Sequence, residues 1–347
     1  MKTLIKSIFA IALLFTLLNC SNRVISEESN QTSKTEQSPK INGVSMVSVR
    51  GAIDSSAFTP VARLNATWVA NIPFGFIPKH SSTVRYNEEW QWYGEKTRGV
   101  SESILLAKAQ GLKVLLKPHL WIHDIWVGDL DFETEEDWQN FETSYSKFIL
   151  GYAKIADSMK VDAYCVGVEL RKIATQRTEF WNTLIDSVRT IYTGKLTYAA
   201  NWDNYENIPF WNKLDYIGID AYFPVSEAKT PSYKECYEGW SKNFETIKSL
   251  SKKENRKVIF TEFGYRNVDF TGQKPWDDTH LTTINNEGQN HAYQAIFAKF
   301  WGEPWFDGGF LWKWYPNHAT AGGPENNRFT PQHKPVEEII SEFYKNN

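Results

Sequence analysis

The sequence predicts an α/β protein built as a single (β/α)8 barrel, a TIM barrel. Eight short apolar, β-branched runs recur along the chain, and stretches with helical periodicity lie between them. They occupy about 300 residues, long for an ordinary domain and normal for a barrel of this kind. No Gly-x-Gly-x-x-Gly follows the first run, which removes the usual mark of an open dinucleotide-binding sheet.

The strand-like runs fall at 43–49, 67–72, 113–118, 163–170, 195–201, 216–222, 257–263 and 308–314. Their near-continuous hydrophobicity fits strands buried on both faces, as in a parallel sheet. Between them, 101–110 sets Ile104, Leu105 and Ala109 at helical spacing and stops at Gly111. The segment 134–159 is a longer amphipathic stretch with an acidic first turn. Helices are also expected over 180–192, 233–253, 291–301 and 335–344. Two intervals are less regular: 55–64 carries Pro60, and only a short segment, 206–211, follows the fifth strand.

The start of the chain has another character. Lys2 and Lys6 precede an apolar run over 8–18, and Cys20 comes just after it. That run is short for a membrane helix, which needs about twenty apolar residues, and suits a secretory signal. Leu17-Leu18-Asn19-Cys20 resembles a bacterial lipobox, although Asn19 departs from the small residue usual before the cysteine. We expect a lipoprotein signal peptide over 1–19, a disordered tether over 20–40 and the barrel over 41–347. The tether is polar, with Val24 and Ile25 its only sizeable apolar groups, too few to offset the entropy of ordering it. The expected location is the bacterial cell envelope, with a lipid anchor at Cys20 and the domain periplasmic or on the cell surface. An ordinary cleaved signal with an incidental Cys20 would make the protein secreted.

The net charge of −3 comes with no basic cluster, so nucleic acid is not an expected partner. Beyond Cys20 only Cys165 and Cys236 remain, without metal or redox spacing. Cys165 lies in an apolar run and is expected as a buried thiol. The unusual number is aromatic content: 15% of residues, with fifteen Trp. Several tryptophans stand beside polar residues, as in Trp90-Gln91-Trp92 and Trp312-Lys313-Trp314. Flat aromatic faces with hydrogen-bonding neighbours suit sugar rings; the competing use of these rings is to enlarge the core.

In a barrel the chemistry lies at the C-terminal ends of the strands. Those ends read Arg50; Asn71; Lys117-Pro118-His119-Leu120-Trp121; Glu169; Asn201-Trp202; Asp220-Ala221-Tyr222; Glu262; and Trp312. Glu169 and Glu262 each follow an apolar strand, the fourth and the seventh. A carboxylate there is costly to bury without partners, so salt bridges with Arg50, Lys117 or Arg171 are the structural alternative. As a pair, they suit glycoside hydrolysis. One carboxyl protonates the leaving oxygen, and the other attacks or activates water.

Five segments in order carry a resemblance: Glu-Glu-Trp-Gln-Trp-Tyr-Gly at 88–94, Gly-Leu-Lys-Val-Leu-Leu-Lys-Pro-His-Leu-Trp at 111–121, Tyr-Cys-Val-Gly-Val-Glu-Leu at 164–170, Asp-Tyr-Ile-Gly-Ile-Asp-Ala-Tyr-Phe-Pro at 215–224 and Phe-Thr-Glu-Phe-Gly-Tyr at 260–265. With glutamates on strands four and seven, they resemble clan A of the glycoside hydrolases, and most closely family 113, known mainly for β-1,4-mannanases. Many clan members have Asn-Glu at strand four, where this chain has Val168-Glu169; family 113 shares that departure.

The resemblance implies a retaining hydrolase of mannan or glucomannan, with Glu169 as acid/base and Glu262 as nucleophile. Arg50 and Tyr222 are expected to support Glu262, and Trp312 to form the platform under the sugar at the cleavage point. Asn201 and His119 are candidates for the sugar's 2-hydroxyl. Lys117, His119, Trp121, Asn201, Trp202 and Asp220 complete the substrate-facing candidates, each of which could instead support the glutamates. The loop 267–290 is expected to wall the cleft. His119 and His123 have weak metal spacing without a third ligand, and no metal or cofactor is expected. The expected partners are a β-linked polysaccharide or oligosaccharide and, through the anchor, a bacterial membrane. Two other readings remain: a related endo-β-1,4-glucanase or xylanase, and a non-catalytic glycan-binding lipoprotein.

Overall fold

The structure, a computed structural model, describes residues 39–279 and 283–347. The expected signal peptide, Cys20 and nearly all of the expected tether lie outside the described residues. The strands are β1 (Ile41–Met46), β2 (Trp68–Asn71), β3 (Phe74–Ile77), β4 (Lys113–Leu116), β5 (His119–Ile122), β6 (Ala163–Val168), β7 (Lys195–Asn201), β8 (Tyr216–Asp220), β9 (Lys257–Phe263) and β10 (Phe306–Trp314). All but β3 and β5 form a closed parallel barrel, in the order β1-β2-β4-β6-β7-β8-β9-β10 and back to β1. It is the (β/α)8 barrel that the eight runs predict.

Burial explains why those runs read as continuous. β1 and β6 are buried at every position. Alternate residues serve two apolar clusters. Leu115, Ala163, Cys165, Ala199 and Ile259 belong to one, which fills the barrel interior. Val114, Tyr164, Val166 and Tyr198 belong to the other, between the strands and the helices. Cys165 and Cys236 are both buried free thiols.

The helices are α1 (Thr59–Arg63), α2 (Thr97–Ala109), α3 (Glu135–Ser158), α4 (Arg171–Gln176), α5 (Thr178–Ile191), α6 (Tyr233–Gly239), α7 (Ser241–Glu254), α8 (Asn286–Phe300) and α9 (Pro335–Asn346). Pro60 falls in the first turn of α1, where a missing N–H costs nothing. Thr134 caps α3, accepting from Asp137 N–H at 3.1 Å, and three acidic residues face the positive end of the helix dipole. Among the described residues, no helix is long and apolar enough to cross a membrane.

Four differences from the sequence reading have local causes. The helix expected over 233–253 is two helices, α6 and α7, which meet at Trp240. α8 begins five residues before the expected 291, at Asn286, because Asn285 caps it by accepting from Gly288 N–H at 3.0 Å. Lys40, assigned to the tether, is buried and donates to the Glu303 carbonyl at 2.7 Å, so it belongs to the barrel. Finally, β3 and β5 form a separate parallel ribbon that pairs Phe74 with His119 and Phe76 with Trp121. Pro73 and Pro118 precede these strands. A proline donates no ladder hydrogen bond, so both chains leave the barrel wall at the same level.

Candidate active site

β6 and β9 deliver the two glutamates to one rim. Glu262 is the next-to-last residue of β9, in register with Asp220 of β8. Glu169 directly follows β6 and takes a left-handed backbone, φ 53°. Such a conformation costs a non-glycine residue about 1–3 kcal/mol and persists only where its surroundings hold it. Its N–H donates to the Ala199 carbonyl, and its carbonyl accepts from Arg171 N–H, both at 2.8 Å.

Glu262 is almost fully buried, and both of its oxygens accept. Lys117 Nζ donates to Oε1 at 2.7 Å, and the Tyr222 hydroxyl donates to Oε2 at 2.6 Å. Lys117 is itself buried and also donates to Asp220 Oδ1 at 3.1 Å. Burial opposes its charge, but the adjacent Asp220 and Glu262 outweigh burial and raise its pKa, so it stays a cation. Asp220 also accepts from Thr261 Oγ1 at 2.7 Å. Burial, and then the nearby Glu262 charge, push the Asp220 carboxyl well above the ordinary range. His119 Nε2 lies 3.7 Å from Glu262 Oε1. Burial and the Lys117 charge hold its pKa well below the usual value, so the ring is neutral.

Glu169 has different surroundings. The Trp126 indole N–H donates to its Oε2 at 3.1 Å. Burial, followed by the charges of Asp220 and Glu262, pushes its pKa up to about 8. Arg171, two residues on, lies over the Trp126 ring at 4.8 Å and pairs with both Asp129 and Asp203. It thereby ties together the loops that follow β5, β6 and β7. Asp203 in turn accepts from Asn201 Nδ2 at 2.7 Å.

Both glutamates line a cavity of about 460 Å³ with Trp126, Asn201, Trp202, Asp203, Tyr222, Trp276, Asp278, Trp312 and Phe329. It therefore holds one carboxyl that keeps its proton at neutral pH and another that accepts at both oxygens, the division of labour that acid-assisted glycosyl transfer needs.

Four of the substrate-facing candidates, Asn201, Trp202, Tyr222 and Trp312, meet in this cavity. Trp312 also stacks parallel to His119, at 6.1 Å and 11°. Four others need correction. Arg50 does not support Glu262: it is exposed, lies over the Trp92 ring at 5.3 Å and is absent from the cavity wall. Lys117 takes the cationic place instead. Lys117 and Asp220 do not face substrate, because both side chains are fully buried beneath Glu262. Trp121 lies outside the cavity, on the exposed face of β5.

Sequence reasoning missed Trp126, Asp203 and Phe329, and it offered Arg171 as a partner for the glutamates, whereas Arg171 pairs with Asp129 and Asp203. Trp276 and Asp278 come from the loop expected to wall the cleft, and Trp276 stacks on Trp202 at 4.9 Å. The signal for Trp126 was faint: a tryptophan in a polar loop after the third barrel strand.

Away from the cavity, His318, His333 and Glu337 bring possible metal-ligand atoms within 4.8 Å of one another. Tyr315 fixes the Gln332 amide, donating to its oxygen at 2.8 Å and accepting from its nitrogen at 3.0 Å. That nitrogen therefore donates to His318 Nδ1, which leaves the ring proton on Nε2, facing Glu337. In this tautomer His318 has no free lone pair for a metal.

Comparison with known proteins agrees with the motifs. The family model for Glycoside Hydrolase Family 113 matches residues 50–334. The structure of the GH113 β-mannanase AaManA from Alicyclobacillus acidocaldarius, in complex with ManMIm, superposes with a TM-score of 0.78 at 25% identity, over 89% of this chain and 98% of that one. A GH113 β-1,4-mannanase structure gives 0.75 at 24% identity, over 89% of this chain and all of the other. A Faecalibacterium prausnitzii β-glucuronidase gives 0.61 at 13%, over 89% of this chain and 49% of its own, a likeness of fold alone. The comparison with curated proteins finds no match.

Proposed function

The chain belongs to glycoside hydrolase family 113, and from that premise we propose that it cleaves β-1,4-mannosidic bonds by double displacement, with retention of configuration. The observation that carries the proposal is the contrast between Glu169 and Glu262 in one cavity. The similarity to a β-mannanase at 25% identity supports the choice of mannan or glucomannan.

Glu169 enters protonated and gives its proton to the glycosidic oxygen as that bond breaks. A Glu262 oxygen attacks the anomeric carbon, forming a glycosyl–enzyme ester. Glu169, now a carboxylate, takes a proton from water, and the water oxygen attacks the same carbon and releases Glu262. This sequence requires the carboxyls to stand about 5–5.5 Å apart. Lys117 holds the departing Glu262 carboxylate from below, and Tyr222 orients it. Trp312 offers a stacking face for the sugar at the cleavage point. Asn201, on the cavity wall, is placed to meet a hydroxyl, and the neutral His119 ring stacks on Trp312.

The test is reducing-sugar release from mannan, glucomannan, cellulose and xylan. Glu169→Gln and Glu262→Gln are each expected to lose about 10³-fold or more in kcat/KM on mannan. Full activity in either variant would sink the mechanism. Activity confined to xylan or cellulose would overturn the substrate and keep the chemistry. Mannan binding without cleavage by the wild type would favour a glycan-binding protein. Proton NMR of the first product should show the β-anomer; α-anomer first would mean inversion.

A further inference from the structure

We propose that the aromatic face of the β3/β5 ribbon is an outer sugar-binding platform, holding a distal pyranose of the chain whose scissile bond lies between Glu169 and Glu262. It rests on the reading of the protein as a β-glycan hydrolase.

The ribbon has two unlike faces. Ile77 and Leu120 point into the core. Phe74, Phe76, His119 and Trp121, which alternate with them, share the opposite face, where Trp121 is exposed and the other three are partly buried, because successive side chains of a strand point to opposite sides. The cross-strand pairs place Phe74 beside His119 and Phe76 beside Trp121. A continuous line of rings therefore runs outward from the cavity. Trp312 stacks on His119, His119 meets Phe74 at 5.3 Å, and Phe74 meets Phe76 at 6.4 Å. Phe76 then contacts Trp90 at 4.9 Å and Trp121 at 5.9 Å.

Position and exposure select the occupant. Residues two apart along a strand are about 6.6 Å apart, so Trp121 lies one such step outward from His119. That step is comparable to one pyranose unit, and His119 itself stands 3.7 Å from Glu262. A chain seated at Glu262 and running along the ribbon brings its next sugars over these indoles. Trp90 and Trp121 keep 55% and 47% of their surface exposed, unlike rings that serve only to cover a core. Phe76 packs nearly at right angles to Trp90, at 75°, which holds that indole's plane without covering it. Aromatic anchors held in this way lose little freedom on binding. His123 and Asp124, beside Trp121, supply the polar rim that sugar hydroxyls need.

The experiment compares kcat/KM on mannotriose and mannohexaose for wild type, Trp90→Ala, Trp121→Ala and Trp121→Phe. The ratio of hexasaccharide to trisaccharide should fall by about tenfold in each alanine variant, the size of one lost stacking contact. Trp121→Phe should restore part of it. An unchanged ratio, or an equal loss at both lengths, would overturn the platform. So would an unchanged ratio accompanied by a change from dimer to monomer in sedimentation, which would make the patch a contact between copies. If the wild type cleaves none of these sugars, the functional reading fails on its own. Calorimetric titration with manno-, cello- and xylohexaose then decides the platform: weaker binding in the alanine variants upholds it, and equal binding or none rejects it.

Discussion

Glu169 is constrained in both its backbone and its side chain. Its backbone is left-handed, burial and nearby charge raise its pKa to about 8, and the Trp126 indole donates to it. An acid must be protonated to act, so kcat/KM should fall as pH rises through that value. The Trp126 N–H favours the anion and therefore lowers the Glu169 pKa from what burial alone would set. Trp126→Phe removes that donor. The basic limb of the pH profile should then move to higher pH, on the order of half a unit. A limb that stays still or moves to lower pH would remove Trp126 from the control of Glu169. At Glu262 the lesson concerns identity. The expected arginine is replaced by a lysine that directly follows the third barrel strand, and that lysine also pairs with Asp220 beneath it.

Among the elements, the β3/β5 ribbon was the least foreseen and has the widest consequences. Two prolines end the barrel ladder at β2 and β4, and the freed segments pair again above the rim. His119 comes within 3.7 Å of Glu262 because of that break. The ribbon's inner face is close-packed. A Cβ on Gly75 would meet Val84 at 3.0 Å and Leu120 and Phe148 at 3.1 Å. Gly75→Val should therefore cost about 1–3 kcal/mol by overpacking, read as a lower midpoint in urea unfolding. Because His119 and Trp121 ride on the same ribbon, kcat/KM on mannan should fall with it. Unchanged stability would mean that the ribbon floats on the barrel rather than packing against it. The helix between β8 and β9 was read as one and is two, because an amphipathic period can run on through a short break such as the one at Trp240.

Over the whole molecule, closure joins the two ends of the barrel. β1 pairs with β10 from Ile41 opposite Gly308 to Met46 opposite Trp314. α9 seals this seam: the Tyr344 hydroxyl donates to the Gly43 carbonyl at 3.0 Å, and Val336 and Ile340 are buried. The placement of this domain in a cell is a separate proposal, resting on the lipobox-like Leu17-Leu18-Asn19-Cys20. Expressed in full in a bacterial host, the wild type should partition into the detergent phase of a Triton X-114 separation, and Cys20→Ala into the aqueous phase. Wild type in the aqueous phase would leave secretion without an anchor.

The barrel, the order of its strands and the placing of glutamates on strands four and seven were all legible in the sequence. These follow from local patterns: an apolar run long enough for a strand, then a helical period. In a closed parallel barrel every strand ends at the same rim, so position along the chain translates into position in space. The company those glutamates keep was decided by tertiary structure. Lys117 meets Glu262 across 145 residues of chain, and Trp126 meets Glu169 across 43. Such contacts depend on loop paths and side-chain directions that no local period encodes. For the same reason Arg50, in the loop after the first strand, turns outward to Trp92 while Lys117 turns inward beneath Glu262.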